Sequence, residues 1–233
     1  MFETTHWSVV SAAKDHRSPD AAAALEKLCR AYWHPLYCYV RRKGLSPADA
    51  QDVTQEFFSR LIAKNSLQSV DRGLGSFRSF LMVSVKNLLI NEWDKAHALK
   101  RGGDRQIISL DVAEAEGRFL HDTAAHDSAE KVFDRRWALA LLDRAFARLR
   151  EECAAAGKLA QFDRLKVFLS DVAGEGDYAA LAGPLGLEPG GVAVAVYRLR
   201  LRYREIVRIE IAQTVTNESE LEAEMHHLFA ALD

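Results

Sequence analysis

The segment 177–208, DYAALAGPLGLEPGGVAVAVYRLRLRYREIVR, constrains the fold of this chain more than any other stretch. Ala179, Ala180, Leu181, Ala182 and Leu185 make a short helix, and Gly186 follows where the chain can take a positive φ and turn. Beyond the turn, Val192, Val196, Leu199, Tyr203 and Ile206 recur at steps of four, three, four and three, the spacing of one buried helical stripe. Arg198, Arg200, Arg202, Arg204 and Arg208 occupy the other faces. This is the layout of a helix-turn-helix, which lays its second helix in the major groove and its cations on phosphates. It also fits a helical hairpin with a solvated basic face, and the rest of the chain has to separate the two.

Elsewhere the apolar residues keep a helical period, and no run alternates as a half-buried strand does. Helices are expected at 21–43, 47–64, 77–99, 130–155, 161–171, 178–185, 189–214 and 218–231, so the fold class is all-α. With 233 residues there is enough chain for one or two domains with cores. No apolar run approaches the roughly 18 residues of a membrane span, and the N-terminus does not read as a signal peptide. A cytoplasmic protein with no membrane partner is the expectation. The net charge of −2 means that any case for nucleic acid must rest on local charge.

Little in the chain suggests enzyme chemistry or a cofactor. Cys29, Cys38 and Cys153 are odd in number and isolated, which argues against a disulfide framework. Cys29, His34 and Cys38 lie close in sequence, but RAYWHPLYCYV around them reads as aromatic helix core before it reads as a metal site. His226 and His227 are adjacent and point about 100° apart on a helix, a poor grip for one ion. No glycine-rich phosphate loop precedes a helix. The expectation is a non-enzyme with no cofactor and no metal.

Between 107 and 130 the periodicity breaks. Asp111, Glu114, Glu116, Asp122, Asp127 and Glu130 face only Arg118, which suits either an acidic linker or an ordinary solvated loop. The expected organisation is a domain at 1–106, a linker at 107–130, a second domain at 131–212 and a helical extension at 213–233. In the first domain, Ser46 can cap a helix that Pro47 begins, and Asp49 suits its positive end. Asp49, Asp52 and Glu56 share one face of that helix, with Ala50, Phe57, Phe58 and Leu61 on the core side. The acidic row is either plain surface or a seat for a basic partner helix. On the next helix Phe77, Phe80, Leu81, Val85, Leu88 and Leu89 form an apolar face. Cations, Asn87, Asn91 and Trp93 fill the remainder, a mixture that suits unstacked bases and phosphates or a wet charged surface.

At this point the chain resembles a known family. SPADAQDVTQEFFSRLI is similar to the second helix of the promoter-melting domain of bacterial sigma factors, and FRSFLMVSVKNLLINEWDKAHALKRG resembles the helix that follows it. The glycine-turn segment resembles that family's second domain. The order, the spacing and the acidic connection are those of the two-domain sigma factors of the extracytoplasmic-function type. TTHWSVV, ALKRGG and IEIAQTV suggest one branch of that type over essentially the whole chain.

The resemblance implies roles. Asp49, Asp52, Gln55 and Glu56 would dock on a coiled coil of the largest subunit of core RNA polymerase, with Gln51 where the family often has an acid. Arg78, Lys86, Asn87, Asn91, Trp93, Lys95, Lys100 and Arg101 would bind and open the minus-ten element of promoter DNA. The acidic linker would run through the RNA exit path. Tyr197, Arg198, Arg200, Arg202 and Arg204 would contact the minus-thirty-five element. There the family's reading helix starts with a small hydroxyl residue and offers Lys and Arg, whereas this chain has Gly190, Gly191, Ala193, Val194 and Ala195. These carry no side-chain donors, so weak base selectivity and a larger share for backbone contact and DNA shape are expected.

Restraint would come from an anti-sigma factor or a Ser/Thr kinase, since some branches are encoded beside such kinases. Thr54 stands next to the acidic row, yet about 140° from Asp49 on the wheel, on the buried side. Leu221, Met225, Leu228 and Phe229 stripe a short helix that needs a docking surface. That surface would be the second domain, or both domains if the extension is a regulator. Two other readings remain: a stand-alone helix-turn-helix regulator, and a helical adaptor whose acidic helix binds only protein.

Overall fold

Pro35 lies inside a helix of 22 residues, α1 (Ala21–Arg42), and the helix survives because almost everything around it is apolar. Leu36, Tyr37, Cys38, Tyr39 and Val40 are all buried, a run that covers every side of a helix and so marks it as the centre of a core. The computed structural model describes residues 21–63, 77–96, 116–117, 127–174, 176–212, 215 and 217–232, with backbone only at 21–25, 27–28, 62–63 and 91–96. Among the described residues there are eight α-helices and no strand, the all-α class expected from the periodicity. No single helix among them is long and apolar enough to cross a membrane.

The described residues fall into two compact units. One takes those up to Ala140 together with those from Ala212 onward, and the other is Leu141–Ile211. In the first unit, α2 (Pro47–Ala63) packs on α1. Its start is set as the sequence suggests: Ser46 Oγ accepts from the Asp49 amide at 3.2 Å, and Pro47 occupies the first turn. Ala50, Phe57, Phe58 and Leu61 are buried. In α3 (Phe77–Ala96), Phe77, Leu81, Val85 and Leu88 are buried, and Phe77 meets Tyr32 edge-on at 5.4 Å.

Helix α4 (Ala129–Ala155) supplies Val132, Phe133, Trp137 and Ala138 to the first core and Leu141, Ala145 and Leu149 to the second. The sequence boundary at 130–131 therefore falls inside a helix. In the second unit, α5 (Leu159–Leu165) and the 3-10 turn Lys166–Leu169 precede α6 (Asp177–Leu185) and α7 (Pro189–Ala212). Leu165, Phe168, Ala182, Val192 and Val196 form the core between them. Gly186, with φ 63°, ends α6. The Leu187 amide donates to the Ala182 carbonyl at 2.9 Å and the Gly186 amide to that of Gly183 at 3.0 Å. That paired closure requires a left-handed residue, which is why glycine stands there. Helices α6 and α7 consequently meet at 95° across a three-residue break.

The C-terminal helix α8 (Glu218–Ala230) belongs to the first unit. Asn217 caps it, its side chain accepting from the Glu220 amide at 2.9 Å. Leu221, Leu228 and Ala231 are buried. Measured against the expected domains, α8 approaches a residue of each, Arg78 through Glu224 and Asp134 through His227, but the packing places both in one unit. It is thus an integral part of that unit's core. Leu228, fully buried, should cost about 2–5 kcal/mol when changed to Ala. Denaturant unfolding read by tryptophan emission tests this, since Trp137 lies 6.0 Å from the His227 ring on α8. An unchanged midpoint would mean that α8 is not part of the cooperative core.

Candidate polymerase and nucleic-acid surfaces

The acidic row of α2 is narrower than its letters suggest. Asp49 and Asp52 are exposed, and Glu56 is held by Arg60 at 2.6 Å one turn on. Gln55 is buried at 7%, which removes it from the surface and corrects its assignment to a docking face. It sits about 60° beyond Asp52 on the wheel, at the edge of the stripe, where packed neighbours cover it. Thr54 is wholly buried and its hydroxyl donates to the Ala50 carbonyl at 2.7 Å, as the wheel implies.

The outer face of α3 carries Val83, Lys86, Asn87 and Ile90, all exposed. Steps of three, one and three place them on one side of the helix. Beside them lies a cavity of about 560 Å³, lined by Tyr39, Lys43, Leu45, Lys86, Leu89, Ile90 and Glu130. Glu130 holds both lysines, Lys43 at 3.3 Å and Lys86 at 3.2 Å. Burial works against its charge, but its own backbone amide, Lys86 and Lys43 outweigh that and keep its carboxyl below the usual range. Burial, reinforced by Glu130, pushes the Tyr39 hydroxyl up to about 12. Apolar walls with cations at the rim suit a flat, anionic ligand such as a nucleotide. Sequence reading missed Lys43 and Tyr39 here; the only available signal was a lysine just past the end of an aromatic helix.

Arg78 points elsewhere. It reaches Asp134 at 2.6 Å and Glu224 at 3.1 Å, and its guanidinium lies 5.0 Å from the Trp137 ring centre. Only 12% of its side chain is exposed, so in this fold it binds protein where the sequence suggested DNA. For Asn91, Trp93 and Lys95 the structure describes only helical backbone, and Lys100 and Arg101 lie outside the described residues.

In the second unit two of the expected DNA contacts, Arg200 and Arg202, are engaged by the protein itself while staying at least partly exposed. Arg200 donates to the Phe168 and Asp171 carbonyls at 2.6 and 2.7 Å. Arg202 makes a two-pronged pair with Glu152 at 2.8 and 2.9 Å and reaches Glu205 at 3.0 Å. Tyr197, Arg198 and Arg204 stay exposed. The two middle rungs of the arginine ladder thus help build the fold, which letters alone could not reveal because their partners other than Glu205 lie 29 to 50 residues away.

Most of 107–130 lies outside the described residues, but Glu116 is placed. It accepts from Arg41 at 2.6 and 2.9 Å and from the Tyr37 hydroxyl at 2.5 Å. The Arg41 hydrogen bond, against the cost of burial, holds its carboxyl below the ordinary range. The acidic segment is therefore pinned to α1 at this point.

Residues 28–98 match the family model of Sigma-70 region 2. They cover α2 and α3 and most of α1, so the α2 and α3 faces lie inside the matched stretch, while Glu116, Glu130 and the second unit lie outside it. Sigma-70 region 2 is thus what this stretch of the chain, less than half of its length, is similar to. No curated protein matches the chain, and no solved structure does.

The ion pair at Glu116 gives a test of the packing. Because its folded pKa is lowered, its contribution is complete above the ordinary value of 4.5 and fades as pH falls through the lowered one. Glu116→Gln should therefore cost about 1–3 kcal/mol at neutral pH and show a smaller loss on acidification. Urea midpoints between pH 7 and 3 measure both. Equal pH dependence in the two proteins would remove Glu116 from that role.

Proposed function

We propose that the chain is a promoter-specificity subunit of the extracytoplasmic-function type, assembled with core RNA polymerase. The observation that carries this reading is the region 2 match over a helical unit that presents an acidic α2 face and a Lys/Asn/apolar α3 face. Asp49 and Asp52, with Glu56 beside them, dock on the largest subunit's coiled coil. Lys86 and Asn87 on α3, continued by Asn91, Trp93, Lys95, Lys100 and Arg101, take the minus-ten element. Melting is then a binding effect: capturing an extruded base offsets an unpairing cost of a few kcal/mol. The cavity between α1, α3 and Glu130 supports this, since Tyr39 and Leu89 offer a stacking wall and Lys43 and Lys86 can leave Glu130 for phosphates.

The second unit supports the two-domain reading through its pair of helices at 95° across a glycine turn, the geometry of a helix-turn-helix. Arg198 and Arg204 on α7 would grip the minus-thirty-five backbone. An anti-sigma factor or a kinase remains the candidate restraint, but Thr54 is closed to a kinase unless α2 opens locally. A stand-alone regulator would have no use for the exposed carboxylates of α2, and an adaptor none for the α3 face.

Asp52 is the sharpest probe of the docking face, being exposed and outside the Glu56–Arg60 pair. Reversing its charge with Asp52→Lys should weaken binding of the full chain to purified core polymerase by roughly tenfold or more, with the melting curve unchanged. Fluorescence anisotropy of labelled chain measures it. Undiminished affinity would contradict docking through this face.

A further inference from the structure

One face of α7 combines features that the arginine ladder obscures. Val194, Tyr197 and Leu201 are 48%, 67% and 43% exposed and follow one another at steps of three and four. Arg198 is exposed on the same face and Arg204 at its edge, while Arg200 and Arg202 are tied to the protein. Gly190, also exposed, continues the face toward the turn. Buried Val192 and Val196 hold the opposite side, so the apolar stripe is turned outward by the fold itself. The stripe ends at Glu205, four residues past Leu201 on the same face and 52% exposed, whose charge is paired with Arg202.

Three apolar side chains exposed in one contiguous stripe mark an interaction surface, and the charge says for which partner. The flanking groups are arginines, suited to an anionic partner, and the helix is the second of a helix–turn–helix pair. In a major groove the apolar feature on the base edges is the C5-methyl of thymine. We infer that α7 reads its duplex through thymine methyl groups, with Val194, Tyr197 and Leu201 as the specificity-determining residues and Arg198 and Arg204 on flanking phosphates. The inference rests on the sigma-factor reading and deepens it. It also changes the expectation drawn from Gly190, Gly191, Ala193 and Ala195. Base selectivity is present, but it is apolar in kind and favours thymine at two or three clustered positions.

The test uses full-length chain with core polymerase. Holoenzyme first selects its upstream sequence from a duplex randomised in the minus-thirty-five region. The enriched thymines are then replaced one at a time by deoxyuridine, which pairs identically and lacks only the methyl. Each replacement at a reader position should weaken binding about fourfold, the value of one apolar carbon removed from water. Val194→Ser and Leu201→Ser should bind thymine and uracil duplexes alike. Arg198→Ala should lower affinity for both by the same factor and flatten the salt dependence.

Holoenzyme that selects a sequence yet ignores deoxyuridine throughout overturns the inference and leaves the sigma reading standing. If no holoenzyme forms, or none that holds promoter DNA, the sigma reading fails and the inference with it. A shift in sedimentation on Val194→Ser, with DNA binding untouched, would assign the face to a second copy of the chain and equally overturn the inference.

Discussion

A single guanidinium, that of Arg78, ties together three helices that are far apart in sequence. It joins α3 to Asp134 of α4 and Glu224 of α8 while lying on the Trp137 ring. An arginine this enclosed is tolerated only when carboxylates surround it, and here they come from 56 and 146 residues away. The His227 ring lies beside the same group, its Nε2 3.2 Å from Asp134 without forming a hydrogen bond. The consequence is orientation. With Arg78 facing inward at one end of α3, Val83, Asn87 and Ile90 lie about 120–180° round the helix and must face outward. The surface read as the melting face is set by an interaction on the other side of the same helix.

Among the described residues, several cations divide by what lies within their reach. Those with carboxylates or carbonyls within reach, Arg41, Arg78, Arg200 and Arg202, are consumed in building the fold. Those on open faces, Arg198 and Arg204, remain for a ligand. Lys43 and Lys86 stand between the two groups, sharing one partly exposed carboxylate that a phosphate could displace. A chain of net charge −2 can bind nucleic acid on these terms, because its basic groups are concentrated by position and not by number.

The helices were legible because each announces itself locally. Ser46-Pro47 starts α2, Gly186 stops α6, and the stripe from Val192 to Ile206 faces the core as its spacing requires. The role of Thr54 as a buried hydroxyl was legible for the same reason. What could not be read were partners at long range. Arg78 looked like a DNA contact since nothing near it in sequence offers the carboxylates of Asp134 and Glu224. Gln55 looked like part of the acidic row because burial at the edge of a stripe depends on the neighbouring helix. Glu116 read as linker charge, while its seat between Tyr37 and Arg41 depends on chain return. The exposed stripe of Val194, Tyr197 and Leu201 was hidden by the more conspicuous arginines.

The central claim, that this chain gives core polymerase the ability to open a promoter, is tested most directly by strand opening. Core polymerase with and without the full chain is incubated with selected promoter fragments, and unpaired thymines are mapped by permanganate. The account predicts reactivity confined to the minus-ten region, dependent on the chain and followed by run-off transcript when nucleotides are added. Stable promoter binding by the chain alone, with no opening and no transcript in the presence of core, would contradict it.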